Sequence, residues 1–505
     1  MESDKKQTPD ELAPPTNERR RNFLKGAAAI GGAAAAVSTL GFPHIASAQQ
    51  GELVPSKIPM PGKISEPGKA NHWYIPASDK TVHWGYFSKH LKPIVEIESG
   101  DFVTIECVTH QAGDDFERLG KGDPGIESIY YWTKTQKNVN RRGAGPMDAP
   151  NGAGGGQGVH VMTGPIAVRG AEPGDIVEVR ILDMYPRPCA NPKYKGKSFG
   201  TNIAAWWGYQ YHDMLTGPKP RETVTIFEYD DRGDNYYARA VHSYRWKPVT
   251  DPFGVVHKIY DYPGLIADLG DPPAGWGRNK VDLNTNVLRN VRIPLRPHFG
   301  NLALTPREAD IVNSIPPDYI GGNIDDWRIT KGASMFYPVS VDGALISAGD
   351  THAAMGDSEL DGTAIESSWT GVWQVILHKQ NKLGMLGEVK WPLLETRDEW
   401  VVHGFSYPNY LIDLGPNAQS EVFKKAETGP DLTLQDMLKT TSIDLAMRDA
   451  WRKMRQFLMT AHKLSEDEAI AVISLAVDFG ITQVVDGNFG VHATLKKDVF
   501  VGEAV

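Results

Sequence analysis

Between residues 349 and 366 the chain reads Gly349-Asp350-Thr351-His352-Ala353-Ala354-Met355-Gly356-Asp357-Ser358-Glu359-Leu360-Asp361-Gly362-Thr363-Ala364-Ile365-Glu366. One imidazole and five carboxylates thus fall within 18 residues. Interspersed Gly and Ala let backbone pass close to a ligand. On an extended strand Asp350 and His352 share a face, and Asp357 and Glu359 repeat that spacing. A borderline ion such as zinc accepts imidazole nitrogen and carboxylate oxygen together, whereas calcium favours carboxylates alone. A divalent metal is therefore expected, zinc first and calcium as the alternative. The plainer reading, an acidic turn with one hydrogen-bonded His, is compatible with the same spacing.

His160 leads from a Gly-rich stretch into the apolar run Val161 to Val168, where an imidazole can reach an open site. Glu172-Pro173-Gly174-Asp175 beyond it reads as a turn. The stretch 152–158 lacks the Gly-Lys-Ser/Thr of a phosphate loop and is read as a loop. Cys107 and Cys189 are too few for a disulfide framework or a thiolate metal site, so they form one bridge or two buried thiols. Neither reads as a nucleophile, since Cys107 alternates with Val103 and Ile105 on an apolar strand face. No Gly-x-Ser-x-Gly elbow occurs, and Ser367-Ser368 read as strand hydroxyls.

These residues need strands to hold them. Apolar residues alternate in Val95 to Glu98 and Val103 to Cys107, joined by Ser99-Gly100-Asp101 as in a hairpin, and again around Val177 to Ile181, Val224 to Phe227 and Val372 to Ile376. Ile443, Met447, Ala450, Trp451, Met454, Phe457 and Leu458 recur at helical spacing, with the Arg and Lys between them expected in water. A capping box at Ser465 to Glu468 predicts a second helix from Ala469 to Phe479, apolar all round and enclosed. Many strands followed by two helices indicate an α+β, mainly β fold. The 51 Gly and 35 Pro among 505 residues, above the usual sum of about 12%, favour turns and short elements. The net charge of −9 disfavours a nucleic-acid surface.

Arg20-Arg21-Asn22-Phe23-Leu24-Lys25, an Ala-rich run and Ala46-Ser47-Ala48 have the arrangement of a twin-arginine signal peptide over residues 1–48. The export machinery would then be a partner, and the mature chain, without a membrane span, would be periplasmic or secreted. Residues 49–80 read as an extended arm that could embrace a neighbouring copy. A β-rich part follows over 81–290. A second, over 291–430, carries the acidic cluster, and 431–505 form the helical section. The aromatics between 203 and 265, among them Trp206, Trp207, Tyr209, Tyr211 and His212, suit a pocket or a half-buried sheet.

Four stretches in order resemble the acetamidase/formamidase family: His160 to Asp175 around Thr163-Gly164-Pro165-Ile166, Arg296 to Pro306, Gly321 to Val339, and the 349–366 cluster. Leu475 to Val485, with Gly490-Val491, is similar to it as well. The resemblance implies β-sandwich and β-barrel-like parts with a small α/β C-terminal section, a divalent metal in at least some members, association into homo-oligomers, and hydrolysis of short-chain amides to carboxylate and ammonia. On that footing Asp350, His352 and His160 are candidate metal ligands. Glu359 or Asp357 is a candidate ligand or general base, with Glu366 as a further catalytic or orienting carboxylate. Asn323, Thr163 and Gly164 are candidates for binding substrate. Met355, Ser358 and Asp361 depart from the family's usual pattern and motivate the alternative, a non-catalytic periplasmic protein binding a small amide or a metal.

Overall fold

A computed structural model describes residues 60–64, 71–130, 158–204, 208–210, 214, 223–230, 237–246, 249–250, 256–257, 281–413 and 441–501, all within the unit Pro55–Val505. The twin-arginine stretch, Trp206, Trp207, Tyr211, His212 and most of the Gly-rich loop lie outside the described residues.

The alternating stretches form two large sheets. The ten-stranded one runs in the order Gly62–Lys63, His72–Ile75, Phe102–Cys107, Trp369–His378, Ile176–Pro186, Ser334–Pro338, Leu393–Glu395, Glu399–Phe405, Gly490–Lys496 and Val477–Gln483. The path of the twelve-stranded one includes Thr223–Asp230, Lys197–Ala204, Glu366–Ser367, Ile346–His352, His298–Ala303 and Gly321–Asn323, with Val161–Val168 also paired to Ile346–His352. One core joins them: Val103, Ile105, Val179 and Trp373 come from the first sheet, and Ile166, Phe299, Leu302 and Ile346 from the second. Phe299 meets Trp373 edge-on at 5.3 Å between ring centres, and the Cys107 thiol lies 3.6 Å from the Ala348 carbonyl. Each such fully buried side chain contributes about 1.5–3 kcal/mol. The fold is thus mainly β, with few helices among the described residues.

The expected hairpin is not one. Val95–Ile97 pairs in parallel with Val161–Val168, whereas Phe102–Cys107 lies between His72–Ile75 and Trp369–His378. Asp101 explains the switch: its carboxylate accepts from Glu98 N at 2.9 Å and Trp73 Nε1 at 2.8 Å, so the turn passes the chain from one sheet to the other. Alternation reports one buried face and says nothing about which strand lies alongside. Within the stretch read as an arm, Gly62–Lys63 and His72–Ile75 are strands at a sheet edge. Both cysteines are free.

The helix Ile443–Ala461 buries Ala450, Met454, Phe457 and Leu458 as the periodicity predicts and Ala446 besides, but Met447 stays 43% exposed and Lys453 is buried. Lys453 can be buried because its ammonium contacts Asp449 Oδ2 at 2.6 Å and donates to the His403 carbonyl at 3.0 Å. The capping box forms, yet its helix is Glu466–Ala476 only, and β-branched Val477 begins the edge strand Val477–Gln483. That helix is not enclosed either: Ala469 and Ile473 are buried, while Leu475 is 85% exposed.

Helix Ile443–Ala461 touches the sheet at Gly404, where a Cβ would sit 2.1 Å from Ala450 N and 2.4 Å from Ala446 O, both backbone atoms. Gly404→Ala is therefore expected to lower stability by about 1–3 kcal/mol, read as an earlier urea or thermal midpoint. An unchanged midpoint would contradict this contact.

Candidate metal and active site

The strand Ile346–His352 lies between Val161–Val168 and His298–Ala303, and its end pairs with Glu366–Ser367. The register sets His352 opposite His298 on one side and Glu366 on the other. His160 stands just before Val161, and His110 follows the end of Phe102–Cys107, so the two sheets each supply imidazoles. Two glycines make room. A Cβ on Gly300 would lie 2.5 Å from Asp325 Oδ1 and 2.6 Å from His352 Cε1, and one on Gly349 2.2 Å from the Val161 carbonyl.

Asp350 sits among three imidazoles: His160 Nε2 at 3.3 Å from Oδ2, His352 Nε2 at 3.4 Å from Oδ1, and His110 Nδ1 at 3.7 Å from Oδ1. His352 Nε2 is also 3.2 Å from Glu366 Oε1. Outer contacts aim these rings. His298 Nδ1 donates to the Arg296 carbonyl at 2.6 Å, which leaves its Nε2 to meet His352 Nδ1 at 2.9 Å and turns His352 Nε2 inward. His160 Nδ1 contacts Ser314 Oγ at 2.9 Å and Asn301 Nδ2 at 3.3 Å, freeing its Nε2 for Asp350. Asp325, Glu359 and Asp486 form a second group of carboxylates beside the first, Asp325 Oδ1 lying 3.9 Å from His352 Nδ1. Asp325, Asp350 and Glu359 all have positive φ (55°, 51° and 43°), a strain of about 1–3 kcal/mol each that tends to collect at functional sites.

A model of the acetamidase/formamidase family matches residues 157–501. The chain belongs to that family. It is 30% identical over 220 residues to an acetamidase of Mycolicibacterium smegmatis, covering 40% of this chain and 49% of the relative. A formamidase of Methylophilus methylotrophus is 29% identical over 220 residues, covering 40% of this chain and 47% of the relative. The chain thus spans about half the length of the curated relatives it matches. In fold it is similar to the crystal structures of acetamidases from Yersinia enterocolitica (TM-score 0.53, 20% identity, 86% of this chain and 94% of that one) and Bacillus halodurans (TM-score 0.52, 20% identity, 86% and 100%).

Of the family-motif residues singled out by sequence, the structure brings together Asp350, His352, His160, Glu359 and Glu366, all buried. Asn323 is buried opposite Asn301 in the next strand, and its Oδ1 has no hydrogen-bond partner among the described residues. Asp357 is elsewhere. Its half-exposed carboxylate accepts from Trp327 Nε1 at 2.8 Å and pairs with Arg328 Nη1 at 3.4 Å, because the positive φ of Ser358 and Glu359 breaks the i, i+2 relation and turns Glu359 inward alone. Thr163 Oγ1 donates to the Glu106 carbonyl at 2.6 Å, and Gly164 lies against Ser347. Ser367 and Ser368 do act as strand hydroxyls, accepting from Trp369 Nε1 at 2.7 Å and Thr109 N at 3.0 Å.

Sequence reading passed over His110, His298, Asp325 and Asp486. His298 and Asp325 lie inside family-like stretches, and Asp486 directly follows Val485 of the last one. His110 precedes the matched region and had only its place after an apolar strand to mark it.

Five buried carboxylates and four buried imidazoles share this volume. Burial by itself would raise Asp350, but His160, His352 and His110 hold it well below the usual carboxylate range. His352, which burial would lower, is held well above its ordinary value by Glu366 and Asp350. Burial, with the charge of Asp350 added, pushes Glu366 up to about 7 against the pull of His352, and burial pushes Asp486 up to about 8. Asp325 and Glu359 are raised well above the usual range by burial and by carboxylate neighbours, Glu359 foremost for Asp325 and Asp486 for Glu359. Asp350 Oδ1, Glu366 Oε2, Glu359 Oε2, Asp486 Oδ2, both Asp325 oxygens, His352 Nε2 and His110 Nδ1 have no hydrogen-bond partner among the described residues. Buried polar atoms are rarely left so, and a divalent cation would satisfy them and favour the ionised carboxylates. The donor set fits such an ion.

Purified protein should accordingly carry about one tightly held divalent ion per chain, measured by elemental analysis. His352→Ala should lose it. Gly300→Ala, which crowds both His352 and Asp325, should weaken its retention without unfolding the sheets. Full metal content in His352→Ala would contradict the donor set.

Proposed function

We propose that this chain hydrolyses a short-chain carboxamide of the formamide or acetamide type to a carboxylate and ammonia. The observation that carries this reading is the placing of His352 Nε2 between Asp350 and Glu366, with unpartnered inward-facing atoms, inside a chain of the acetamidase/formamidase family. Resonance makes an amide a poor electrophile with a poor leaving group, so a strong nucleophile and a proton donor are both required. His110, His160, Asp350 and His352 would hold a divalent ion, zinc by its mixed nitrogen and oxygen donors, which polarises a carbonyl and lowers the pKa of bound water from 15.7 to about 7.

Glu366 is the group suited to carry the proton. Its Oε1 is fixed by Ala364 N at 3.0 Å and by His352, while its Oε2 is unpartnered. A buried carboxylate held at one oxygen and free at the other can accept a proton from water and return it to the leaving nitrogen. Asp350, kept ionised, holds His352 and His160 in place. Cys107 is buried with its thiol pushed further up by burial, which supports water rather than sulfur as nucleophile.

Ammonia release from formamide, acetamide and longer amides tests the reading. Glu366→Gln should reduce kcat about 10²–10⁴-fold with the metal retained. Binding of these amides by calorimetry with no ammonia formed would favour the non-catalytic alternative instead.

We infer further that residues 1–48 act as a twin-arginine leader and that the mature protein works in the periplasm or outside the cell. The Arg20-Arg21 pair and Ala46-Ser47-Ala48 support this. Arg20→Lys with Arg21→Lys should retain the protein in the cytoplasm with its leader uncleaved, as fractionation would read. Normal export of that variant would overturn the inference.

A further inference from the structure

Asp325 and Asp326 are adjacent, both buried, and point opposite ways. Asp325 faces His352 with neither oxygen hydrogen-bonded to a described residue. Asp326 faces outward into a full set of partners: Oδ1 accepts from Arg328 N and Arg328 Nη1, both at 2.9 Å, and Oδ2 meets His403 Nε2 at 2.9 Å. The same Arg328 Nη1 reaches Asp357 Oδ1 at 3.4 Å, two residues before Glu359. Trp327 Nε1 donates to that Asp357 oxygen, and the Arg328 guanidinium stacks on the Trp327 ring at 4.3 Å. The guanidinium, with the Trp327 indole stacked on it, therefore ties the segment that carries Asp325 to the segment that carries Glu359.

Asp325 and Glu359 belong to one group of carboxylates that each bring an oxygen within 4.8 Å of the others, so the spacing of the two depends on how their segments are held. Each also holds a positive φ that a non-glycine residue keeps only when its surroundings impose it. Asp325 N donates to the Gly300 carbonyl at 3.2 Å, and Ser358 N to the Thr482 carbonyl at 2.9 Å. These bonds fix each segment to the sheets but do not join them to each other. Arg328 and Trp327 supply that join through Asp357, and of the two Arg328 alone also holds Asp326 and carries a positive charge that offsets Asp326 and Asp357 outside the cluster.

We propose that Arg328 is a positioning residue for the hydrolytic site: by gripping Asp326 and Asp357 together it sets how closely Asp325 and Glu359 approach, and Asp357 serves as its anchor. This rests on the amide-hydrolase reading for its activity readout only. The clamp itself concerns the cluster's geometry and has a second readout in metal binding.

Arg328→Met should lower kcat by about 10–100-fold, the scale of a displacement near one ångström, with KM within about twofold and the protein folded by circular dichroism. Arg328→Lys should recover part of the loss, because an ammonium reaches both carboxylates but lacks the planar fork. Asp357→Asn should reduce kcat in the same direction, and the double variant should be no worse than the worse single one, since both remove one link. In metal-stripped protein, Arg328→Met should bind Zn2+ about tenfold more weakly by calorimetry. Wild-type kcat and wild-type Zn2+ affinity in folded Arg328→Met, or strict additivity with Asp357→Asn, would overturn the clamp while leaving the amidase reading untouched. If the wild-type protein releases no ammonia from any amide, the amidase reading fails and the Zn2+ comparison alone decides the clamp.

Discussion

Five carboxylates cannot be buried together unless something compensates their mutual repulsion, and the arrangement around Asp350 is organised by that requirement. Two unit charges 4 Å apart interact by about 4 kcal/mol at an effective dielectric near 20, comparable to a large part of a domain's net stability. His110, His160 and His352 surround Asp350 and hold it ionised. The remaining carboxylates, Glu366, Glu359, Asp325 and Asp486, are all raised. A group of acids that keeps its protons for want of positive charge, with inward atoms lacking partners, is the electrostatic outline of a cation site.

The sheets bear the cost of holding that outline. Strand pairing sets His352 between His298 and Glu366, so three strands deliver three groups at fixed spacing. Gly300 and Gly349 remove side chains where the cluster comes close to backbone, and left-handed residues turn Asp350, Asp325 and Glu359 inward. The common core between the sheets brings His110, at the end of a strand in one sheet, to a cluster otherwise built on the other.

Around the cluster the sequence alternates inward and outward acids with different tasks. Asp325 and Glu359 face in, whereas Asp326 and Asp357 meet Arg328, His403 and Trp327. The His298 ring plays the corresponding part for His352, holding a neutral form because burial lowers its pKa to about 3 and its Nδ1 donates to a carbonyl. Such outer contacts fix the direction of a ligand as firmly as its own rotamer does.

Local chemistry was legible from residue order. The period-two runs became strands, the Ser465–Glu468 capping box formed, and the dense acids and His between 349 and 366 supply Asp350, His352, Glu359 and Glu366 to one buried cluster, because these depend on neighbours a few residues apart. Family membership followed from motifs in order. What residue order left open was partnership. The Ser99–Asp101 turn changes sheets instead of closing a hairpin. Lys453 is buried by a carbonyl 50 residues away. Asp357 and Glu359, equivalent by spacing, point opposite ways because of backbone dihedrals that an aligned pattern does not encode. His110, His298 and Asp486 join the cluster only through long-range strand pairing and packing. Residue types and short spacing determined that this chain would carry a metal-suited acidic cluster on a β framework. Which acids face it, and which hold the others in place, was decided by tertiary contacts, since burial and distance to distant charges exist only once the chain has folded.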